Sequence, residues 1–306
     1  MYKFYGQNRK FGRNKRRKIR RTKLCLIGMA AALVLLIIYL MISIVLLIYK
    51  TVEYQKAENG NQMVQEMLPD TEAEQKNDLE TEYEEDAMGR LEIFAERNHI
   101  SIEEYPEELL ELLEKNPEAE QFVFEYPLKK DTYEEAALDA YLNRPQIPLF
   151  LQWDSRWGYF LYGDKPLGMT GCGPTCLSMV ALHLLQNSEM TPVYMADFAE
   201  RNGYYVRGTG TAWALMTEGA AEFGLCAREV SLDENLVLRY LSQGKPIIAA
   251  MGSGDFTEHG HFIVFTGTKD GKIMVNDPNS RVRSEKLWDF EEIKGQIKNM
   301  WVYTAF

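Results

Sequence analysis

The first fifty residues contain no Asp or Glu, although they hold twelve Lys and Arg. The 306-residue chain has only four cysteines, none in the C-x-x-C spacing of a metal or redox site, and no G-x-x-x-x-G-K-[ST] phosphate loop. Because of the first absence, the net charge of −11 describes no single part of the molecule. A basic head is followed by a stretch over 51–145 with 27 acidic and 8 basic side chains, then by a more balanced remainder over 146–306 with 18 and 14. That remainder is not basic enough for a nucleic-acid surface. The shortage of cysteine argues against a disulfide framework. Cys25 lies inside an apolar run, and the odd number left, Cys172, Cys176 and Cys226, leaves room for one free, working thiol.

Leu24 to Tyr49 is an uncharged run of 26 residues. As a helix it measures about 39 Å, against a bilayer hydrocarbon core of roughly 30 Å. The T-V-E-Y-Q-K that follows offers no small-residue cleavage site, so the run is expected to be an uncleaved signal anchor. The eleven basic residues from Lys3 to Lys23 place the N-terminus in the cytoplasm and everything after Thr51 outside it. The expected organisation is a basic cytoplasmic tail over 1–23, the membrane anchor over 24–49 and an acidic, disordered stalk over 50–87. A helical arm over 88–145 and a C-terminal domain over 146–306 complete it.

The stalk has too few aromatic and β-branched residues to bury a core. In the arm, apolar residues return at helical spacing. Ser101 with Glu104, ahead of Tyr105, has the form of a capping box, Asn116-Pro117 ends a second helix, and Asp131-Thr132 begins a third over Tyr133–Leu142. The apolar face of Leu109, Leu110, Leu112, Leu113, Phe122 and Phe124 needs a partner. The domain that follows supplies it, either as a packing surface or with the arm as a latency segment covering whatever site that domain carries.

In that domain, Pro148 opens an extended stretch, I-P-L-F-L-Q-W-D-S-R-W-G. M-T-G-C-G-P-T-C-L-S-M-V then reads as a tight loop bent at Gly171 and Gly173, delivering Cys172 to the first turn of a buried helix through Leu185. Further helices are expected from Thr191-Pro192 to Gly203, from Gly210-Thr211 to Gly224, from a Ser231 cap over Leu232–Ser242, and over Phe290–Lys298. Cys226–Val230 and I-I-A-A-M read as strands. H-F-I-V-F-T-G, K-D-G-K and I-M-V-N-D-P-N form a hairpin turning at Asp270-Gly271. Helices first and an antiparallel sheet second is an α+β order.

Cys172 at a helix N-terminus reads either as a nucleophile prepared by the helix dipole or as a small buried residue in a Gly-rich loop. Its partners weigh for the first. The hairpin brings His261, at the start of one strand, and Asp277, at the end of its neighbour, to one edge of the sheet. A thiol nucleophile needs a base, and the base needs a third group to fix its tautomer. His259 competes for the base role, but His261 is favoured because it heads the apolar strand. Asp277 in N-D-P-N also reads as a turn residue. Cys176, one helical turn beyond Cys172, reads as a packing residue, and so do Cys226 and His183. Trp153, Asp154 and Trp157 pin the loop or touch substrate.

Gln152 with W-D-S-R-W, then G-C-G-P-T-C-L-S-M-V, G-H-F-I-V-F-T-G and V-N-D-P-N resemble the motifs of papain-like cysteine peptidases related to the bacteriocin-processing, double-glycine leader peptidases. The resemblance implies a papain-like fold, with the cysteine on a central helix packed on an antiparallel sheet that carries His and Asp. It implies Cys172 as nucleophile, His261 as general base and acid, and Asp277 as the orienting residue. Gln152 would join the Cys172 backbone N–H in an oxyanion hole, and neither metal nor organic cofactor is called for. The expected activity is extracytoplasmic hydrolysis of peptide bonds through a thioester acyl-enzyme. A cell-wall peptide hydrolase and a non-catalytic peptide-binding module are the alternatives. A free thiol outside the cytoplasm also calls for reducing surroundings.

Overall fold

Three short amphipathic helices form the arm in the computed structural model, which describes residues 86–134 and 136–306. The basic tail, the anchor and all but the last two residues of the stalk lie outside the described residues, among which no helix is long and apolar enough to cross a membrane. Asp86 caps α1 (Ala87–Arg97) by accepting from Met88 N. Leu91 and Ala95, four residues apart, form its buried stripe. The Ser101–Glu104 capping box forms, on a 3₁₀ turn over Ile102–Glu104. In α2 (Glu107–Lys115) the buried pair is Leu109 and Leu113, again at i,i+4. Burial of each such leucine contributes about 1.5–3 kcal/mol. The partner face comes from α3 (Glu120–Lys129) and from Tyr159, with Trp153 and Met169 packed at the edge, so the arm sits on the domain that follows it.

The third arm helix, Glu120–Lys129, therefore lies thirteen residues earlier than its expected place at Tyr133–Leu142. Asn116 ends α2, and its side chain also accepts from Glu118 N at the start of the next turn, so Asn116-Pro117 both stops one helix and starts another. The segment after α3 is irregular apart from a 3₁₀ turn over Asp139–Tyr141. There Glu134 N donates to Arg156 O and Leu138 is buried in the main core. Tertiary partners override the helical pattern of A-A-L-D-A.

Beyond the arm, the chain from Pro148 runs extended but joins no sheet. The Asn276 side chain holds it instead, donating to the Ile147 and Pro148 carbonyls. A small hairpin, β1 (Leu161–Tyr162) and β2 (Lys165–Pro166), and one turn of helix, α4 (Leu167–Thr170), lead into α5 (Cys172–Leu185). Residues Gly173 to Leu182 of α5 are all buried, as its uniform apolarity requires. Thr191 caps α6 (Pro192–Arg201). Gly210-Thr211, expected to open a helix, instead forms β4 against β3 (Tyr205–Val206). Helix appears later and in pieces, a 3₁₀ turn over Trp213–Met216 and α7 (Glu218–Glu222).

The remaining chain builds a six-stranded antiparallel sheet from β5 (Leu225–Glu229), β6 (Ile247–Met251), β7 (His261–Lys269), β8 (Lys272–Asn276), β9 (Leu287–Trp288) and β10 (Ile297–Ala305), in the order β5-β10-β6-β7-β8-β9. Helix α8 (Glu234–Ser242) connects β5 to β6, and its cap is Asp233, whose carboxylate accepts from Leu236 N, not Ser231. The short α9 (Arg281–Glu285) and α10 (Phe290–Ile293) flank β9. The last expected helix stops early because Ile297 already belongs to the nine-residue β10, an interior strand of the sheet between β5 and β6.

Both faces of the sheet are covered. Ile248, Ala250, Phe262, Val264, Trp301 and Tyr303 pack with α5 and α6. Ile247, Ala249, Met251, Ile263, Phe265, Met300 and Val302 pack in a second core with Val237 and Leu241 of α8. This is why I-I-A-A-M and F-I-V-F are continuous apolar runs without polar alternation. At the β7–β8 turn Asp270 and Gly271 both take positive φ, 54° and 77°, the conformation that suits a two-residue hairpin.

Candidate active site

Cys172 is the first residue of α5, whose N-cap, Gly171, supplies no side-chain cap and where the dipole favours negative charge. The glycines around it serve close approach more than a sharp bend. A Cβ on Gly171 would meet the Leu167 carbonyl oxygen at 2.5 Å, and one on Gly173 would meet the Thr211 side chain at 2.8 Å. Thr211 in turn shares a hydrogen bond of 3.0 Å with Tyr162. The cysteine is thus wedged between α4 and β4.

His261 opens β7, paired with Met251 of β6. The hairpin starts in register at Lys269–Lys272, and a shift between Phe265 and Gly267 leaves Val264 opposite Asn276. That bulge slides the end of β8 along β7, and the imidazole meets Asp277, just past the strand, with Nε2 to Oδ1 at 2.7 Å. Asp277 is fully buried, and His261 nearly so. Nε2 is taken by the carboxylate, and Cys172 and His261 line the same cleft. Burial alone pushes His261 down. The Asp277 charge and hydrogen bond, together with Cys172, outweigh it and carry the imidazole up to about 10. Burial likewise works against ionised Asp277, but His261 and Arg283 hold its carboxyl below the usual range. This environment stabilises an imidazolium against the Asp277 carboxylate, on the wall of the cleft that Cys172 also lines.

The other sequence-flagged residues separate. Cys176 is buried, donates its S–H to Phe262 O and is pushed well up by burial, so it is a packing residue. Cys226 lies on β5, paired with Thr304, and both it and Cys172 are free thiols, as is Cys176. His259 lines the cleft, but the Asp277 carboxylate is held by His261. Trp157 and Asp154 pin their loop, Trp157 through Leu151 O and Asp154 through Arg156. Gln152 is buried; its backbone N–H donates to Pro278 O, beside Asp277, and its Nε2 donates to Gly168 O at 2.8 Å. It is tied to both sides of the site but is not among the residues that line the cleft.

The cleft, about 370 Å³, is lined by Cys172 and His261 with Met169, Thr170, Tyr205, Trp213 and Lys298. Met169 and His259 also border an adjoining groove of about 550 Å³ whose far wall is α2 of the arm, through Glu108, Glu111, Leu112 and Lys115. A larger cavity of about 640 Å³, between Tyr133–Asp139 and α6, carries neither cysteine nor histidine.

A model of the Peptidase_C39 like family matches residues 145–306. The chain belongs to this family. It is a cysteine peptidase, with the mixed α/β fold and antiparallel sheet of C39-like peptidases. Similar solved structures include the peptidase domain of Streptococcus ComA, a bi-functional ABC transporter involved in quorum sensing, at 21% identity and TM-score 0.35, covering 45% of this chain and 93% of that one. A double glycine motif protease from an AMS/PCAT transporter, in complex with the leader peptide, is 17% identical with TM-score 0.34, covering 54% and 97%. A C39-like peptidase from Bacillus anthracis is 13% identical with TM-score 0.32, covering 54% and 98%. No curated protein matches the chain. Among the described residues there is no group of side chains that could hold a metal ion.

Two contributors escaped the sequence reading. Arg283 donates through Nε to Asp277 Oδ2 at 2.5 Å, and Asn279 N donates to Oδ1 at 2.8 Å. The available signal was Ser280, which accepts from Arg283 N and caps a short helix just after N-D-P-N.

Proposed function

We propose that this C39-like peptidase hydrolyses polypeptides outside the cytoplasm, with Cys172 as nucleophile, His261 as general base and acid, and Asp277 as the orienting carboxylate. The observation that carries the reading is that Cys172 and His261 line one cleft while His261 is hydrogen-bonded at 2.7 Å to the buried Asp277 carboxylate. The thiolate attacks the scissile carbonyl carbon. The Cys172 backbone N–H stabilises the oxyanion, imidazolium His261 protonates the leaving amine, and water, deprotonated by His261, then hydrolyses the thioester and releases the Cys172 thiolate. Gln152, behind the cleft wall, holds Gly168 O instead of reaching the oxyanion. Tyr205, Trp213 and Met169 give the cleft apolar walls for a peptide side chain.

The same proposal includes the chain's organisation. The tail over 1–23 is cytoplasmic, 24–49 is the membrane anchor, 50–87 is a stalk, and the arm over 88–145 and the peptidase domain over 146–306 are extracytoplasmic. The charge asymmetry of the first fifty residues supports that orientation. The test is cleavage of a mixed peptide library by the full-length chain under reducing conditions. Cleavage is expected to disappear in Cys172→Ala and His261→Ala and to survive in His259→Ala. Cleavage that persists in Cys172→Ala would overturn the reading.

A further inference from the structure

The corner between α2 and α3 of the arm is bound to the loop that carries Asp277. Asn116 Nδ2 donates to Asn279 O at 2.8 Å and to its side-chain oxygen at 3.1 Å. Two residues on, the Glu118 carboxylate takes the Ser280 hydroxyl on Oε1 and Arg281 N on Oε2, the latter at 2.7 Å, with Val282 N at 3.4 Å from Oε1. Ser280 is the N-cap of α9, so Glu118 accepts from first-turn N–H groups that Ser280, which bonds Arg283 N, leaves open. The loop closes on itself through Ser284, which accepts from Asp277 N at 2.8 Å and donates to Ser280 O at 2.7 Å. Trp288 Nε1 fixes the Arg283 carbonyl at 3.0 Å.

The product of this bracing is the aim of one side chain. Arg283 reaches back six residues to Asp277 Oδ2, while Oδ1 takes His261 and Asn279 N. With both oxygens held, the carboxylate cannot rotate, and the imidazole orientation is set with it. The charged or titratable groups around Asp277 are His261 from β7 and Arg283 from α9, with Cys172 beyond the imidazole and the Cys176 thiol on α5. Arg283 on its own would oppose an imidazolium nearby. Its contribution is to keep Asp277 ionised and fixed.

We propose that Arg283 is a positioning residue for the His261–Asp277 pair and that the arm sets it, Glu118 holding the helix from which Arg283 is aimed. The arm is then part of the active-site frame. This inference rests on the reading of Cys172 as nucleophile, and its test keeps the two apart.

The full-length chain, reduced, is treated with iodoacetamide, and the alkylation rates of Cys172 and Cys226 are followed by peptide mass across the acid to mildly alkaline range. Wild type is compared with Arg283→Gln, Arg283→Lys, Glu118→Ala and the double variant Glu118→Ala/Arg283→Gln, with thermal melts in parallel. In Arg283→Gln the Cys172 plateau is expected to fall about tenfold and its acidic limb to move up by about one pH unit, because Asp277 loses its cation. Arg283→Lys, which keeps the charge, recovers most of the limb. Glu118→Ala moves both quantities the same way by less and adds nothing to Arg283→Gln, since it acts through it. If Arg283→Gln does not fold, Arg283→Lys and Glu118→Ala carry the comparison.

Arg283→Gln and Glu118→Ala profiles that superpose on wild type would overturn the inference while leaving Cys172 as nucleophile. A Glu118→Ala loss that adds in full to that of Arg283→Gln would also overturn it. Wild-type Cys172 reacting no faster than Cys226 would instead remove the nucleophile, and the inference with it.

Discussion

Cys172 and Asp277 are held by opposite kinds of force. Cys172 stands at the end of α5, a helix wrapped on every side by apolar residues, where Leu177, Val180, Ala181 and Leu182 are fully buried. Asp277 sits in a loop whose geometry is written in hydrogen bonds and charge: Arg283, Asn279, Ser284, Ser280 and, from the arm, Asn116 and Glu118. Packing is non-directional and tolerates exchange of one apolar side chain for another of similar volume. A buried polar network depends on every member. Substitutions in α5 should therefore cost stability with the chemistry intact, and substitutions in the 277–284 loop should cost chemistry as well.

The sharpest break is Asp277→Ala. It leaves Arg283 and a buried His261 without their common carboxylate, and removing one partner of a buried ion pair costs about 3–5 kcal/mol. Cys172 should lose its fast alkylation as well as the chain its stability, measured by denaturant titration and iodoacetamide labelling on the same preparation. Next comes Leu177→Ala in α5, expected to cost about 2–5 kcal/mol through lost burial and a residual cavity. Its fully folded fraction should label Cys172 at the wild-type rate. If Leu177→Ala slowed labelling as much as it lowered stability, the separation between the two halves of the site would be wrong.

Proton linkage gives a smaller effect and sharpens the comparison from the other side. His261 is raised from 6.5 to about 10, so its contribution to stability is complete below about pH 6.5 and is lost as pH rises through about 10. Asp277 is shifted the other way, so its contribution is present above the ordinary aspartate range and lost as pH falls through its depressed value. Melting temperature should fall on both sides of this window. Asp277→Asn should flatten the alkaline fall. An unchanged alkaline fall in that variant would detach His261 from Asp277.

The same contrast explains which parts of the molecule could be read before the structure was seen. The β7–β8 hairpin, α5 and the pairing of His261 with Asp277 were legible because burial writes apolar runs and a two-residue turn writes Asp-Gly. The helix expected at Tyr133–Leu142 failed because Glu134 and Leu138 found partners on the domain, which no local pattern records. The bulge near Thr266, by which β8 slides along β7, leaves no mark in H-F-I-V-F-T-G. Arg283 was missed for a related reason. Its role depends on a loop folding back over six residues, and an arginine in S-R-V-R-S-E reads as a solvated charge until that loop closes.

The arm offers the last test, because it meets the domain by both kinds of contact. Its apolar side, Leu109 and Leu113 against the Phe122 and Tyr159 cluster, is packing, and Asn116 and Glu118 belong to the polar loop. Between them Lys115 pairs with Glu258, on the loop ahead of His261, with both side chains more than half exposed. Exposed pairs of this kind gain little once solvent and salt screen them. Lys115→Ala should leave the melting temperature within error of wild type and the Cys172 labelling rate unchanged, at low and at high salt. A Lys115→Ala variant that labelled Cys172 more slowly at low salt would show that the arm reaches His261 by a second route, through the 254–259 loop, and that its hold on the site is not confined to the Asp277 side.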